Sequence, residues 1–322
     1  MSEAVTYRRY RDGDEAAINA GFERVFHTSR PLPEWHWKFA AAPEARAILV
    51  ATDPGGRVLA HFGGIRERLL VEGREYRVAQ TVDVYAVPEV RRSLSGAAVY
   101  LETARAFFRE FLGEHDLAAV YGFPGPRHEP LLVRRLGCRV VQPVTVWERA
   151  VPGRFPWRTA HDVRAGWDAA AIDALWRSAA PRYPVILRRD AARLARRFTG
   201  RPGVAYELLV AWRRRAPRAA AVLRAGAPES VLADLLWDGD DRRAVTALLR
   251  AACRLAAAAG AATVSAWLDG DAACQRILAD HGWVGRPHPA PVNLVMRPEH
   301  PALAHEALAG RVYVTAADAD LV

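Results

Sequence analysis

The stretch that decides the fold is VDVYAVPEVRRSLSGAAVYLETARAFF, Val82–Phe108. Apolar residues dominate up to Val87, a proline and two arginines follow, and small residues then lead into an apolar pattern at helical spacing. The first part predicts a strand and the last part a helix. A basic, small-residue turn between them suits an anion. Backbone N–H groups are free at a helix start, the helix dipole favours negative charge there, and small side chains admit a phosphate closely.

Before this stretch, DGDEAAINAGFERVF (12–26) predicts a helix and PLPEWHWKFAAAP (31–43) a short aromatic helix or turn. RAILVATD (46–53) and RVLAHFGGIRERLLVEG (57–73) read as strands joined at PGG, and REYRVAQTVDVYAV (74–87) as a strand pair or one bent strand. After it come a buried strand in LAAVYGFPG (117–125) and a helix ending at Gly137, followed by a last strand, in RHEPLLVRRLGCRVV (127–141). A Pro/Gly-punctuated connector, VPGRFPWRT (151–159), then precedes a second run in similar order. Its long helix is DDRRAVTALLRAACRLAAAAGA (240–261), its buried strand ATVSAWLDG (262–270) and its final helix DAACQRILADHGWVGR (271–286). A repeat of this period predicts two copies of one mixed α/β domain, with boundaries at 1–150 and 151–322.

Composition narrows the function. The chain has 322 residues, 51 % hydrophobic and 25 % charged, which is globular usage. No run of about 18 uncharged apolar residues occurs, so no membrane partner is expected. The charged start, MSEAVTYRRYRDGDEAA, lacks the apolar centre of a signal peptide, and a cytoplasmic location is expected. Net charge is +9, carried by arginines scattered through both halves, with Lys38 the single lysine. That pattern is a solvated surface of a GC-rich coding bias, and no specific nucleic-acid partner is expected. Cys138, Cys253 and Cys274 are odd in number and lack ligand spacing, so no metal is expected.

The residues from VYAVPEV through Arg91-Arg92-Ser93-Leu94-Ser95-Gly96-Ala97 resemble the GNAT superfamily of N-acetyltransferases, whose members carry a strand, an Arg/Gln-x-x-Gly-x-Gly/Ala loop and a helix. VYGFPG is similar to the family's next strand, and RRLGCRVV and ADHGWVG to its terminal Gly turns. The resemblance implies two tandem GNAT-like domains, each a mostly antiparallel twisted sheet flanked by helices. It implies acetyl-CoA, or another acyl-CoA, as co-substrate of the first copy. Arg91 to Ala97 would face the pyrophosphate, and the backbone of Tyr85, Ala86 and Val87 the pantetheine arm. Leu94 stands where the family has its first glycine. The second copy has WDGDDRRAV (237–245) at the matching place, with three carboxylates at the phosphate mouth, and is expected to lack coenzyme.

The resemblance further implies an N-acyltransferase for the amine of a small molecule such as an amino acid, amino sugar or natural-product intermediate. The alternative is a non-catalytic ligand-binding relative or pseudoenzyme; the expected assembly is a monomer or homodimer. Asp83 is the expected base, a carboxylate in an otherwise apolar strand. The family's acidic tyrosine is missing, since Val133 and Leu278 occupy its places, so Tyr121 is the first candidate for the proton donor, with Tyr85 and His128 as alternatives. Trp35, Trp37, Phe123 and His128 are the candidates for the acceptor pocket. The terminal VYVTAADADLV (312–322), with Asp318 and Asp320, reads as a solvated tail or, as the alternative, a carboxylate pair that attracts a cationic amine.

Overall fold

The structure is a computed structural model that describes residues 5–39, 46–91, 96–113, 116–151 and 161–320. In chain order they form β1 (Thr6–Arg9), α1 (Glu15–Phe26), α2 (Leu32–Phe39), β2 (Arg46–Thr52), β3 (Val58–Val71) and β4 (Arg74–Ala86). There follow α3 (Pro88–Arg91), α4 (Gly96–Phe111), β5 (Ala119–Gly122), α5 (Glu129–Leu136), β6 (Arg139–Pro143) and β7 (Thr145–Ala150). The second half contains β8 (Asp162–Ala165), α6 (Ala169–Ala179), β9 (Val185–Leu187), α7 (Ala191–Phe198), β10 (Glu207–Arg213) and β11 (Ala216–Arg224). The chain closes with β12 (Glu229–Trp237), α8 (Arg242–Ala258), β13 (Thr263–Asp269), α9 (Ala272–Asp280), β14 (Val284–Pro287), β15 (Asn293–Pro298), α10 (His305–Leu308) and β16 (Val312–Thr315).

Two compact units result, and neither is one contiguous stretch. The first comprises residues 1–68, 76–141 and 294–307; the second comprises 69–75, 142–293 and 308–322. The sheet of the first unit is antiparallel at β1–β2, β2–β3 and β5–β15 and parallel at β4–β5. Helix α4 covers one face, where Phe107 and Phe108 pack on Phe62 and Ala104 is fully buried. On the other face Ile18 and Trp35 pack with Ile48, Val50 and Val82. Gly21 brings α1 close, because a Cβ there would stand 2.8 Å from the ring of Tyr85.

The second unit repeats the pattern. Strands β8, β10, β11 and β12 are antiparallel neighbours, and β12 runs parallel to β13. The outer edge of β13 is taken by β7, which pairs in turn with β14. Strand β15 takes the corresponding outer edge of β5 in the first unit, so each sheet receives a strand from the far side of the sequence. The expected mixed α/β architecture with helix-flanked sheets holds in both units.

The C-terminal residues depart from the solvated tail. Strand β16 is buried along its length, and Asp318 is 2 % exposed, paired with Arg189 Nη2 at 2.6 Å and Arg193 Nη2 at 3.1 Å. Two guanidinium groups far back in the sequence turn this carboxylate inward, which its local pattern does not show. No helix among the described residues is long and apolar enough to cross a membrane.

Candidate functional site

The site begins where β4 and β5 part. Their parallel register runs Val78↔Ala119, Ala79↔Val120 and Gln80↔Tyr121, while β4 continues to Ala86. The two strands therefore form a fork that opens after Gln80. At the crotch, Thr81 Oγ1 donates to the Tyr121 carbonyl at 3.1 Å. Val87 N–H donates to Leu59 O on β3 at 2.9 Å. The two-residue strand period then turns the backbone groups of Ala86 and Val84 to the fork edge. Of Tyr85, Ala86 and Val87, Ala86 is the residue left to offer backbone groups to a ligand.

A bulge creates this geometry. Asp83 has φ +50°, a left-handed conformation that non-glycine residues adopt rarely. Val82 packs with Ile18 and Trp35, and Asp83, the next residue, turns to Arg30 and Lys38 of the same helix-bearing face. Two consecutive side chains on one face are what an inserted strand residue produces. Three groups hold it. Arg30 Nη1 meets Asp83 Oδ2 at 2.5 Å, Lys38 Nζ meets Oδ1 at 2.7 Å, and His61 Nδ1 donates to the Asp83 carbonyl at 2.7 Å. Asn19 fixes Arg30 by accepting from its Nε at 2.6 Å.

This corrects the expectation for Asp83 as a base. Burial works to raise its pKa, but Lys38 and Arg30 outweigh that and hold it down at about 2. A carboxylate 3 % exposed between two cations has little affinity for a further proton. His61 is fully buried, and burial pushes its pKa down to about 4, so the imidazole is neutral near pH 7. In the unfolded chain it takes a proton near pH 6.5, which the folded chain refuses until about pH 4. Stability from this residue is complete above that window and is lost as pH falls through it, by roughly 3 kcal/mol. Urea titrations at stepped pH are expected to show the loss, and His61→Phe is expected to flatten it. An unchanged slope in the variant would exclude His61 as the cause.

A cavity of about 20 Å³ sits in the fork, lined among others by Thr81, Val84, Tyr121, Gly122, His128 and Cys138. That is room for about one water. Tyr121 and His128 are both among the lining residues. His128 Nε2 is hydrogen-bonded to the Tyr100 hydroxyl, and burial lowers the pKa of His128. Phe123 stacks edge-on to Tyr121, with ring centroids 6.3 Å apart. Trp35 is corrected. It is fully buried, stacked on Tyr10 and tilted against Phe39, and lines no part of this cavity. Trp37 is half-buried on α2.

The stretch expected to face the pyrophosphate follows in the chain. Arg91 closes α3, Gly96 and Ala97 open α4, and Arg92, Ser93, Leu94 and Ser95 lie outside the described residues. Sequence reasoning missed Arg30, Lys38, His61 and Tyr100. A lone lysine in an arginine-rich chain and a histidine inside an apolar strand were the available signals.

Residues 6–138 match the family described as Acetyltransferase (GNAT) domain. They are a GNAT domain. The match covers the fork, its bulge and the start of α4. No curated protein matches the chain. Across 92 % of its length the chain is similar to a protein of Enterococcus faecalis V583 described as a probable N-acyltransferase, at 11 % identity, 72 % of that chain and TM-score 0.69. It is also similar to Saccharomyces cerevisiae N-myristoyltransferase with bound myristoyl-CoA, at 12 % identity, 92 % of this chain, 83 % of that chain and TM-score 0.60. A tandem GNAT protein of the clavulanic acid biosynthesis pathway matches at 14 % identity, 92 % of this chain, 99 % of that chain and TM-score 0.58. At these identities the likeness speaks to fold: a GNAT domain within a tandem arrangement.

Proposed function

We propose that the chain is an acyl-CoA-dependent N-acyltransferase that moves an acyl group, acetyl in the first instance, to the amine of a small molecule. The observation that carries this reading is the β4–β5 fork of the GNAT domain, with a β4 edge that has no strand partner beyond Gln80 among the described residues, a cavity at its crotch and a helix start beyond its open end. Pantetheine is a chain of amides. A strand edge beyond its last partner offers the alternating N–H and C=O groups that such a chain pairs with. The α4 N-terminus would face the pyrophosphate, with Arg91, Arg92, Ser93, Leu94, Ser95, Gly96 and Ala97 at the mouth.

In this reading the neutral amine attacks the thioester carbonyl, the C–N bond forms and the C–S bond breaks. The nitrogen's proton leaves to water, and the thiolate takes a proton from the Tyr121 hydroxyl, which water restores. Trp37, Phe123 and His128 border the acceptor side. Asp83 takes no proton; it holds the bulge that keeps the fork open.

Release of free CoA from acetyl-CoA over a panel of amino acids and amino sugars tests the reading. Acetyl-CoA binding without release for any amine would favour a ligand-binding protein, and absence of binding at millimolar concentration would refute both. Tyr121→Phe is expected to lower kcat by roughly ten- to a hundred-fold with little change in coenzyme Kd. An unchanged kcat would remove Tyr121 from the mechanism.

A further inference from the structure

The second unit has a fork of the same construction, and it is full. Strand β12 pairs in parallel with β13 from Glu229↔Thr263 to Leu232↔Ala266, after which both strands continue. Beyond that point Leu268 and Asp269 of β13 pair with Thr315 and Val314 of β16. The other arm is engaged as well. Thr315 Oγ1 donates to Asp234 Oδ1 at 2.7 Å, and the Tyr313 hydroxyl donates to the Leu235 carbonyl. Strand β16 therefore bridges the two arms. Arg189 clamps it, with Nε on Asp234 at 3.1 Å and Nη2 on Asp318 at 2.6 Å.

The other end of this fork is also occupied from within. Asp241 caps α8, its Oδ1 accepting from Ala244 N at 3.3 Å, and Asp238 Oδ1 accepts from the backbone N–H of Asp240 and Asp241 at 2.9 and 3.0 Å. These are the amides that an anion at a helix start would need. The two carboxylates have partners of their own, Asp238 an ion pair with Arg218 at 3.0 Å and Asp241 a hydrogen bond with His161 Nε2 at 2.8 Å. A carboxylate at the helix start and an extended strand in the fork are the two chemical elements of a phosphorylated amide chain.

We propose that the second unit is a coenzyme-type site closed by the chain's own residues. Val312–Asp318 stand in for the amide arm, and Asp238 and Asp241 stand in for the phosphates, so one chain takes one acyl-CoA, in the first unit. The count rests on the proposed function; the closure does not. It differs from simple loss of a binding loop, because restoring small residues at 238–241 would leave the fork occupied.

Two measurements on the full chain test it together. Calorimetric titration with acetyl-CoA is expected to give one coenzyme per chain, and Gly96→Glu, which puts a negative side chain at the start of α4, is expected to give none. Hydrogen exchange is expected to show the Val314 and Thr315 amides as slow as those of β12 and β13, with or without acetyl-CoA. Two coenzymes per chain, residual binding in the Gly96 variant, or faster exchange at Val314 and Thr315 on adding coenzyme would each overturn the proposal. If the wild-type chain binds no coenzyme, the proposed function fails. The exchange result then decides the closure alone: slow amides support it and fast ones overturn it.

Discussion

Replacing Asp83 with alanine is expected to lower the stability of the chain by about 3–5 kcal/mol, the range found when one partner of a buried ion pair is removed. Arg30 and Lys38 have side chains 4 % and 9 % exposed, and both point at this carboxylate. Without it both buried cations lose this counter-charge, and counter-charge removed from a buried cation is expensive. The left-handed backbone adds to the loss, since alanine tolerates φ +50° less well than aspartate. Denaturant unfolding of Asp83→Ala measures the total. Asp83→Asn separates position from proton transfer, because it keeps the shape and the turn preference. A positioning role predicts a raised KM for acyl-CoA with the acid limb of the kcat–pH profile intact. Loss of that limb would restore Asp83 as the base.

Arg189→Met is the second large effect, again about 3–5 kcal/mol by the same physics. The guanidinium is fully buried and makes four hydrogen bonds, to Asp234, the Leu187 carbonyl, Thr315 and Asp318. Methionine fills a similar volume but answers none of these acceptors, and it leaves two carboxylates in a dry site. Beyond the stability loss, exchange at β16 is expected to speed up before the rest of the second unit opens, because Arg189 joins that strand to β12. If β16 and β12 lose protection together, the clamp is not local to the strand.

The linear order of helices and strands was legible in the sequence, because 3.6- and two-residue periods survive in nearly every long element. The stretch 74–87 read as a strand pair or one bent strand, and it is one strand, β4. The purpose of its aspartate was not legible. That Asp83 is a pinned bulge and not a base depends on Arg30 and Lys38, which arrive from a loop and a helix 53 and 45 residues earlier. Trp35 shows the same limit: an aromatic at helical spacing reads alike whether it faces a ligand or Phe39 and Val50. Short polar strands such as β1, TYRR, and β14, VGRP, carry no period long enough to see. The buried C-terminal strand was hidden by Asp318, whose partners Arg193 and Arg189 lie 125 and 129 residues earlier.

The exchange of β7 and β15 has a consequence for how the chain is made. Gly122 and Val295 are sheet neighbours. During synthesis at about 5–20 residues per second, the outer edge of β5 waits on the order of ten seconds or more for its partner to leave the ribosome. For that interval the nascent first unit presents a bare strand edge, the kind that captures wrong strands. The first compact unit is thus completed only when residues 294–307 have been made, and expression cut at residue 150 is the form in which that edge never closes.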